Sequence, residues 1–293
     1  MKNESGVSQA HFLNGVKKFN FMYVFNHEEI IKHPLHQIEY SIIDSCNRNC
    51  VSCSHFSPLV KSANEITVEE FVKNTEILYS QIPDVRTFWL IGGEPTLHPK
   101  YLEILRELRR IYKDIPVGIM SNGYGILAKR NDPEFWKFIK GNEIVWRITT
   151  YDIDPNFYQE LFDKYDCLDF LSLDRNNRFT KLAVLTKEPQ EISDSKYADC
   201  GWERLNIFVR NGRIWKCPSV EYIDLFNSYF NEIFEISKDD YLDINENLTR
   251  KQIIEFNRKP SSFCAYCNIT KRFKETFEVT KSKKKKSEWM VDK

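Results

Sequence analysis

The sequence predicts an α/β protein, a partial (β/α)6 barrel followed by a small C-terminal α+β domain. Three observations carry that reading. From residue 38 onward, apolar β-rich runs alternate with amphipathic helical ones, the pattern of βα units around a parallel sheet. The alternating stretch covers about 150 residues, too short for a closed eight-stranded barrel, so a barrel open on one side fits. After residue 190 the rhythm changes to a hairpin, short helices and scattered cysteines.

The elements follow in order. IEYSIID (38–44) is an apolar, β-branched run and reads as the first strand. TVEEFVKNTEILYSQI (67–82) reads as a helix, with Thr67 as N-cap and Glu70 completing a capping box. RTFWLI (86–91) is the second strand, ending in GGEP, and YLEILRELRRIYK (101–113) the second helix, with Pro99 just before it. VGIM (117–120) ends in Ser121-Asn122-Gly123. PEFWKFIK (133–140) is helical, IVWRITTY (144–151) a strand and PNFYQELFDKYD (155–166) a helix. FLSL (170–173) and LAVL (182–185) supply the last two strands of six. Beyond them RLNIFVRNGRIWKCP (204–218) reads as a hairpin turned at Asn211-Gly212. Helices around VEYIDLFNSYF and KQIIEFN and the segment FCAYCN complete the second domain. The expected division is a 1–37 extension, a 38–190 partial barrel, a 191–280 C-terminal domain and a 281–293 basic tail.

Composition narrows the function classes. Of 293 residues, 42% are hydrophobic and 29% charged, ordinary for a soluble globular chain. Forty-two basic and 42 acidic residues cancel, so no whole-molecule field draws nucleic acid or an anionic membrane. The first 25 residues lack a secretory signal, which points to the cytoplasm and to reduced thiols. Five lysines fall between 281 and 286, and such a run reads as a solvated tail.

Eight cysteines in a reducing compartment read as metal ligands or catalytic groups rather than disulfides. Cys46, Cys50 and Cys53 form CxxxCxxC, whereas Cys200, Cys217, Cys264 and Cys267 form a second set ending in CxxC. Cys167 is left over and reads as a small buried hydrophobe. Three close thiolates suit a 4Fe-4S cluster with one iron uncapped. Zinc is the alternative, with His55 as a fourth ligand in the first set and four thiolates in the second.

CNRNCVSC after the first strand, with LIGGEPTLHP ending the second, resembles the radical S-adenosylmethionine (radical SAM) superfamily. The resemblance implies that Cys46, Cys50 and Cys53 bind a 4Fe-4S cluster whose remaining iron chelates SAM. It implies that Gly92, Gly93, Glu94 and Pro95 line the SAM amino group, and that Ser121 and Asn122 lie near its ribose or carboxylate. Position 52, often aromatic in the family and near the adenine, is Ser here. The C-terminal cysteines resemble the twitch form of a SPASM-type auxiliary domain, which implies a second 4Fe-4S cluster, fully ligated by Cys200, Cys217, Cys264 and Cys267.

The implied activity is reductive cleavage of SAM to a 5'-deoxyadenosyl radical that abstracts hydrogen from a substrate. The auxiliary cluster would take up an electron, and a flavodoxin- or ferredoxin-type protein would be the reductant. CSHFSPL (53–59) and the CPSVEYIDLFNSYF segment resemble radical SAM proteins of carbohydrate settings, which favours a sugar, nucleotide-sugar or cyclitol substrate. Arg147, Thr149 and Tyr151 alternate along the fourth strand and could line such a substrate if that face points inward; His55 and His98 border the motif loops as proton-transfer candidates. A peptide-modifying radical SAM maturase and a structural or electron-relay metal module are the competing readings.

Overall fold

The first strand forms as β1 (Gln37–Ile43) in a computed structural model that describes residues 35–62, 64–174, 178–200, 205–272, 274–276, 278–279 and 283–291. The expected N-terminal extension lies, up to residue 34, outside the described residues. The βα rhythm then runs as predicted. Helix α1 (Val68–Gln81) starts where the Thr67 hydroxyl accepts from the Glu70 N–H at 3.1 Å. Strand β2 (Thr87–Gly92) and helix α2 (Tyr101–Ile111) follow. Strand β3 (Val117–Ser121) leads into a short helix α3 (Tyr124–Ala128) directly after the Ser-Asn-Gly turn. Asp132 and Asp154 cap α4 (Pro133–Gly141) and α5 (Pro155–Lys164), each with proline in the first turn, on either side of β4 (Ile144–Thr149). Strand β5 (Leu171–Asp174) closes the series.

Strand β6 (Arg178–Thr180) pairs outside the main sheet, antiparallel to β10 (Lys274–Thr276). A five-residue helix α6 (Asp194–Ala198) precedes the predicted hairpin, β7 (Asn206–Arg210) and β8 (Arg213–Trp215). The hairpin turns through Asn211 at φ 54° and Gly212 at φ 68°, both in the left-handed region an Asn-Gly turn supplies. The predicted helix after Cys217 divides at Tyr222 into α7 (Pro218–Glu221) and α8 (Ile223–Phe230). Strand β9 (Tyr241–Asp243) and helix α9 (Arg250–Arg258), the latter with a complete Thr249/Gln252 capping box, follow.

The main sheet has the order β5-β4-β3-β2-β1-β7-β8-β9. β1 to β5 and β7 run parallel, and β8 and β9 are antiparallel additions. Two expectations need correction. LAVL (182–185) is no strand of this sheet: Leu185 makes only isolated bridges, to Cys267 and Met290. The sixth parallel strand is β7, beside β1, so the hairpin assigned to a separate domain continues the barrel sheet.

One face of the sheet is packed by helices. Ile38, Tyr40, Phe88, Leu90, Val117, Ile119, Trp146 and Ile148 share a core with Phe71, Leu105, Trp136 and Phe162 from the helices. Each fully buried Leu or Phe there contributes about 1.5–3 kcal/mol. By the two-residue period of strands, Glu39, Ser41, Trp89, Ile91, Arg147 and Thr149 point to the other face. A second core joins Phe56 and Leu59, just past the first cysteines, to Phe208, Tyr222, Phe226, Phe263 and Trp289.

Candidate active site and its two cysteine sets

Backbone contact between β1 and β2 builds the first site. The Gly93 N–H donates to the Ile43 carbonyl at 2.8 Å and the Glu94 N–H to the Ser45 carbonyl at 2.9 Å, clamping GGEP against the entrance to the cysteine loop. Only glycine permits this. A Cβ at Gly92, where φ is 142°, would lie 2.1 Å from the Ile43 carbonyl oxygen, and one at Gly93 would lie 2.2 Å from that of Ser45. The glycines thus serve the approach of one strand end to another. Pro95 opens a short 3-10 turn, Pro95–Leu97, capped by Glu94.

Glu94 is 1% exposed, and its carboxylate ties the end of β3 to the turn after β2. It accepts from the Thr96 hydroxyl at 2.6 Å, the Ser121 hydroxyl at 2.8 Å, the Asn122 N–H at 2.8 Å and the Thr96 N–H at 3.2 Å. Burial raises its pKa, and these donors oppose the rise. Asn122 reaches on to the Asn47 side-chain oxygen at 2.7 Å and lies 3.9 Å from the Cys46 Sγ. The residues picked from GGEP and Ser-Asn-Gly are therefore one hydrogen-bonded unit with the cysteine loop.

The three thiols are free and share one environment. Burial pushes Cys46 up to about 12, with Cys53, Glu94 and Cys50 adding to the rise, and burial likewise pushes Cys50 up to about 12. Arg48, which the sequence reading passed over although it lies inside CNRNC, sits among them. Its side chain is 6% exposed, donates to Asp152 at 2.9 Å and Tyr124 at 3.1 Å, and lies 4.6 Å from the Tyr151 ring centroid. Tyr151 falls past the end of β4, at φ 43°, and faces the same thiols. Arg147 and Thr149 stay on β4, half-buried, paired in register with Ser172 and Asp174. Among the described residues no three His, Cys, Asp or Glu groups gather tightly enough for a single metal ion. A four-iron cube is bulkier than one ion, and three thiols here leave one iron free, so the donor set fits it.

The two histidines part ways. His98 is buried and spends both ring nitrogens on backbone: Nδ1 accepts from the Lys100 N–H at 3.1 Å, so Nε2 donates to the Ile66 carbonyl at 2.8 Å. His55 lies with its ring centroid 5.2 Å from that of Tyr222, and burial pushes its pKa down to about 4.

The second set also comes together. Cys200, Cys217, Cys264 and Cys267 line one pocket with Lys196, Lys216 and Arg272. Burial raises the Cys217 thiol well above its usual value, and Cys264, Cys200 and Cys267 add to the shift. The Lys216 ammonium, buried in the pocket wall, donates to the Lys259 carbonyl at 2.8 Å and lies 3.7 Å from the Phe256 ring centroid. Cys167 is fully buried, away from both sets.

The expected solvated tail is only partly so. Lys284 is 5% exposed and Trp289 fully buried, because both pack against the back of the cysteine loop. Ser52, the departure from the aromatic pattern, is buried with φ 55°, and its N–H donates to Glu288 at 3.4 Å.

Residues 40–165 match the family model described as the Radical SAM superfamily. The chain carries a radical SAM domain. Among curated proteins it is similar to GTP 3',8-cyclase of Microcystis aeruginosa, 31% identical over 96 residues, 31% of this chain and 29% of that protein. GTP 3',8-cyclase of Paenarthrobacter nicotinovorans is 30% identical over 91 residues, 30% of this chain and 25% of that protein. The matched stretch thus spans less than a third of either relative. A crystal structure of BtrN in complex with AdoMet and 2-DOIA superposes with TM-score 0.50 at 14% identity, covering 78% of this chain and 84% of that one. That likeness is one of fold. Among the described residues no helix is long and apolar enough to cross a membrane.

Proposed function

We propose that this chain is a cytoplasmic radical SAM enzyme that oxidises or epimerises a small hydroxylated substrate, a sugar, nucleotide-sugar or cyclitol. In this reading a 4Fe-4S cluster at Cys46, Cys50 and Cys53 is reduced by a flavodoxin- or ferredoxin-type protein. A second 4Fe-4S cluster at Cys200, Cys217, Cys264 and Cys267 is the electron acceptor. When bound, the first cluster supplies the electron that splits SAM, and the 5'-deoxyadenosyl radical so formed takes hydrogen from the substrate.

One observation carries the proposal: the two cysteine-bearing segments meet at a buried polar cluster. His55, just past Cys53, packs on Tyr222, just past Cys217. Around them stand Ser41, Asp44, Arg210 and Glu221. Arg210 is tied to Asp44 at 2.8 Å and to Asp224 at 2.9 Å and lies 4.8 Å from the Tyr222 ring centroid. Among the described residues neither Glu221 carboxylate oxygen finds a hydrogen-bond partner, and the Tyr222 and Ser41 hydroxyls have only each other, although all are buried. Buried polar groups without partners are costly, about 1–3 kcal/mol each, and a substrate rich in hydroxyls would satisfy them. Oxidation of an alcohol carbon releases one hydrogen atom, one electron and one proton. In this reading His55, whose ring lies against Tyr222, takes the proton.

The test is anaerobic reconstitution, reduction with dithionite and incubation with SAM and a panel of carbon-deuterated sugars, nucleotide-sugars and cyclitols. The expected product is 5'-deoxyadenosine carrying deuterium from one class. Absence of 5'-deoxyadenosine with and without every panel member would sink the enzymatic reading; unlabelled 5'-deoxyadenosine throughout would sink the substrate class alone.

A further inference from the structure

The cysteine loop is gripped from behind by a segment more than two hundred residues downstream. Lys284 Nζ donates to the Asn49 and Cys50 carbonyls, both at 3.2 Å, and lies 3.3 Å from Glu288 Oε2. The two side chains are 3% and 12% exposed. Glu288 accepts from the Ser52 N–H, and the Trp289 indole N–H donates to the Cys53 carbonyl at 2.7 Å while its ring stacks on Phe56 at 5.6 Å. The Val51 N–H donates to the Glu278 carbonyl at 3.0 Å. Trp289, its stack on Phe56 and the backbone bond at Val51 also hold the loop from this side, so the ion pair is one contact among several. Burying one is costly, and an apolar pair of similar volume would serve stability as well. What an apolar pair could not supply is charge. The ammonium acts on the Cys50 and Cys53 sulfurs, and at this depth water screens little of its field.

We propose that Lys284 and Glu288 form a positioning and charge-setting pair for the iron–sulfur group at Cys46, Cys50 and Cys53, with the ammonium favouring its reduced state and the carboxylate limiting that effect. The inference rests on the proposed function, because it needs a cluster at those cysteines. Each added electron makes such a cluster more negative, so a fixed cation against two loop carbonyls stabilises the reduced form more than the oxidised one.

The experiment is an EPR-monitored reductive titration of the full chain, following the signal that SAM perturbs, together with iron content and a thermal melt for each variant. Lys284→Met is expected to lower the midpoint potential, cutting the reduced fraction at fixed potential about tenfold, ~59 mV for a one-electron couple. Glu288→Gln is expected to raise it, and Lys284→Arg to leave it near the parent value with full iron. Opposite shifts from the two neutralising variants are the signature, since a purely structural strut would make both behave alike. Equal loss of iron in both, shifts of one sign, or unchanged midpoints at full iron overturn the proposal. If Lys284→Met fails to fold, Glu288→Gln and Lys284→Arg still decide it. A parent protein with no SAM-perturbed signal would instead refute the cluster assignment on which the inference stands.

Discussion

The Glu94 carboxylate and the Asn122 backbone N–H, at the ends of adjacent strands, are joined by a 2.8 Å hydrogen bond that is closed to solvent. Glu94→Gln sets an amide against donors that need an acceptor, so at least one buried N–H or hydroxyl loses its partner. The variant is expected to lose about 1–3 kcal/mol in chemical denaturation. It should also bind SAM more weakly by calorimetry, because the Asn122 to Asn47 contact depends on the same turn.

Gly93→Ala asks a different question. Its Cβ would meet the Ser45 carbonyl oxygen at 2.2 Å, and backbone on both sides leaves no flexible atom to yield. Overpacking of this kind costs about 1–3 kcal/mol. Because the displaced chain is the entrance to the cysteine loop, the proposed cluster at Cys46, Cys50 and Cys53 should lose iron while the one proposed at the second set does not. Full iron in this variant would show that the strand-end clamp does not shape the loop.

Changing Cys46, Cys50 and Cys53 together to Ala is expected to take anaerobically prepared protein from roughly eight irons to about four. Zinc retained without iron would make the second set structural and remove the electron acceptor from the proposed reaction.

Arg210 and Asp44 are 4% and 2% exposed, so Arg210→Met leaves a buried carboxylate uncompensated. The expected loss is about 3–5 kcal/mol. Adding Asp44→Asn should restore part of it, and a double-mutant cycle measures the coupling. Simple additivity would mean that Asp224 alone satisfies the guanidinium.

How much of this could be read beforehand depended on the residue. The first three strands were legible because each apolar run stops at a motif that cannot continue a strand. LAVL misled because Ala183, Val184 and Leu185 are buried without being paired in the sheet, and four apolar residues in a row report burial whichever structure buries them. GGEP was legible as a motif at a strand end, but its glycines answer to Ile43 and Ser45, a contact no spacing within the motif encodes. Arg48 acquires its setting only from Tyr124 and Asp152, far along the chain. In the lysine run composition could not say which lysine turns inward; Trp289, an aromatic closing a charged stretch, was the available signal.

The contact between Trp289 and the Cys53 carbonyl spans 236 positions in the chain. During synthesis the cysteine loop therefore leaves the ribosome well before the residues that close its back, by a delay on the order of tens of seconds at ~5–20 residues per second. Throughout that interval Cys46, Cys50 and Cys53 exist without their final support. Iron delivered early would meet a pliable loop, and iron delivered late a finished one. A cluster delivered to the proposed site would thus find the loop closed from behind only after the segment carrying Lys284, Glu288 and Trp289 has docked.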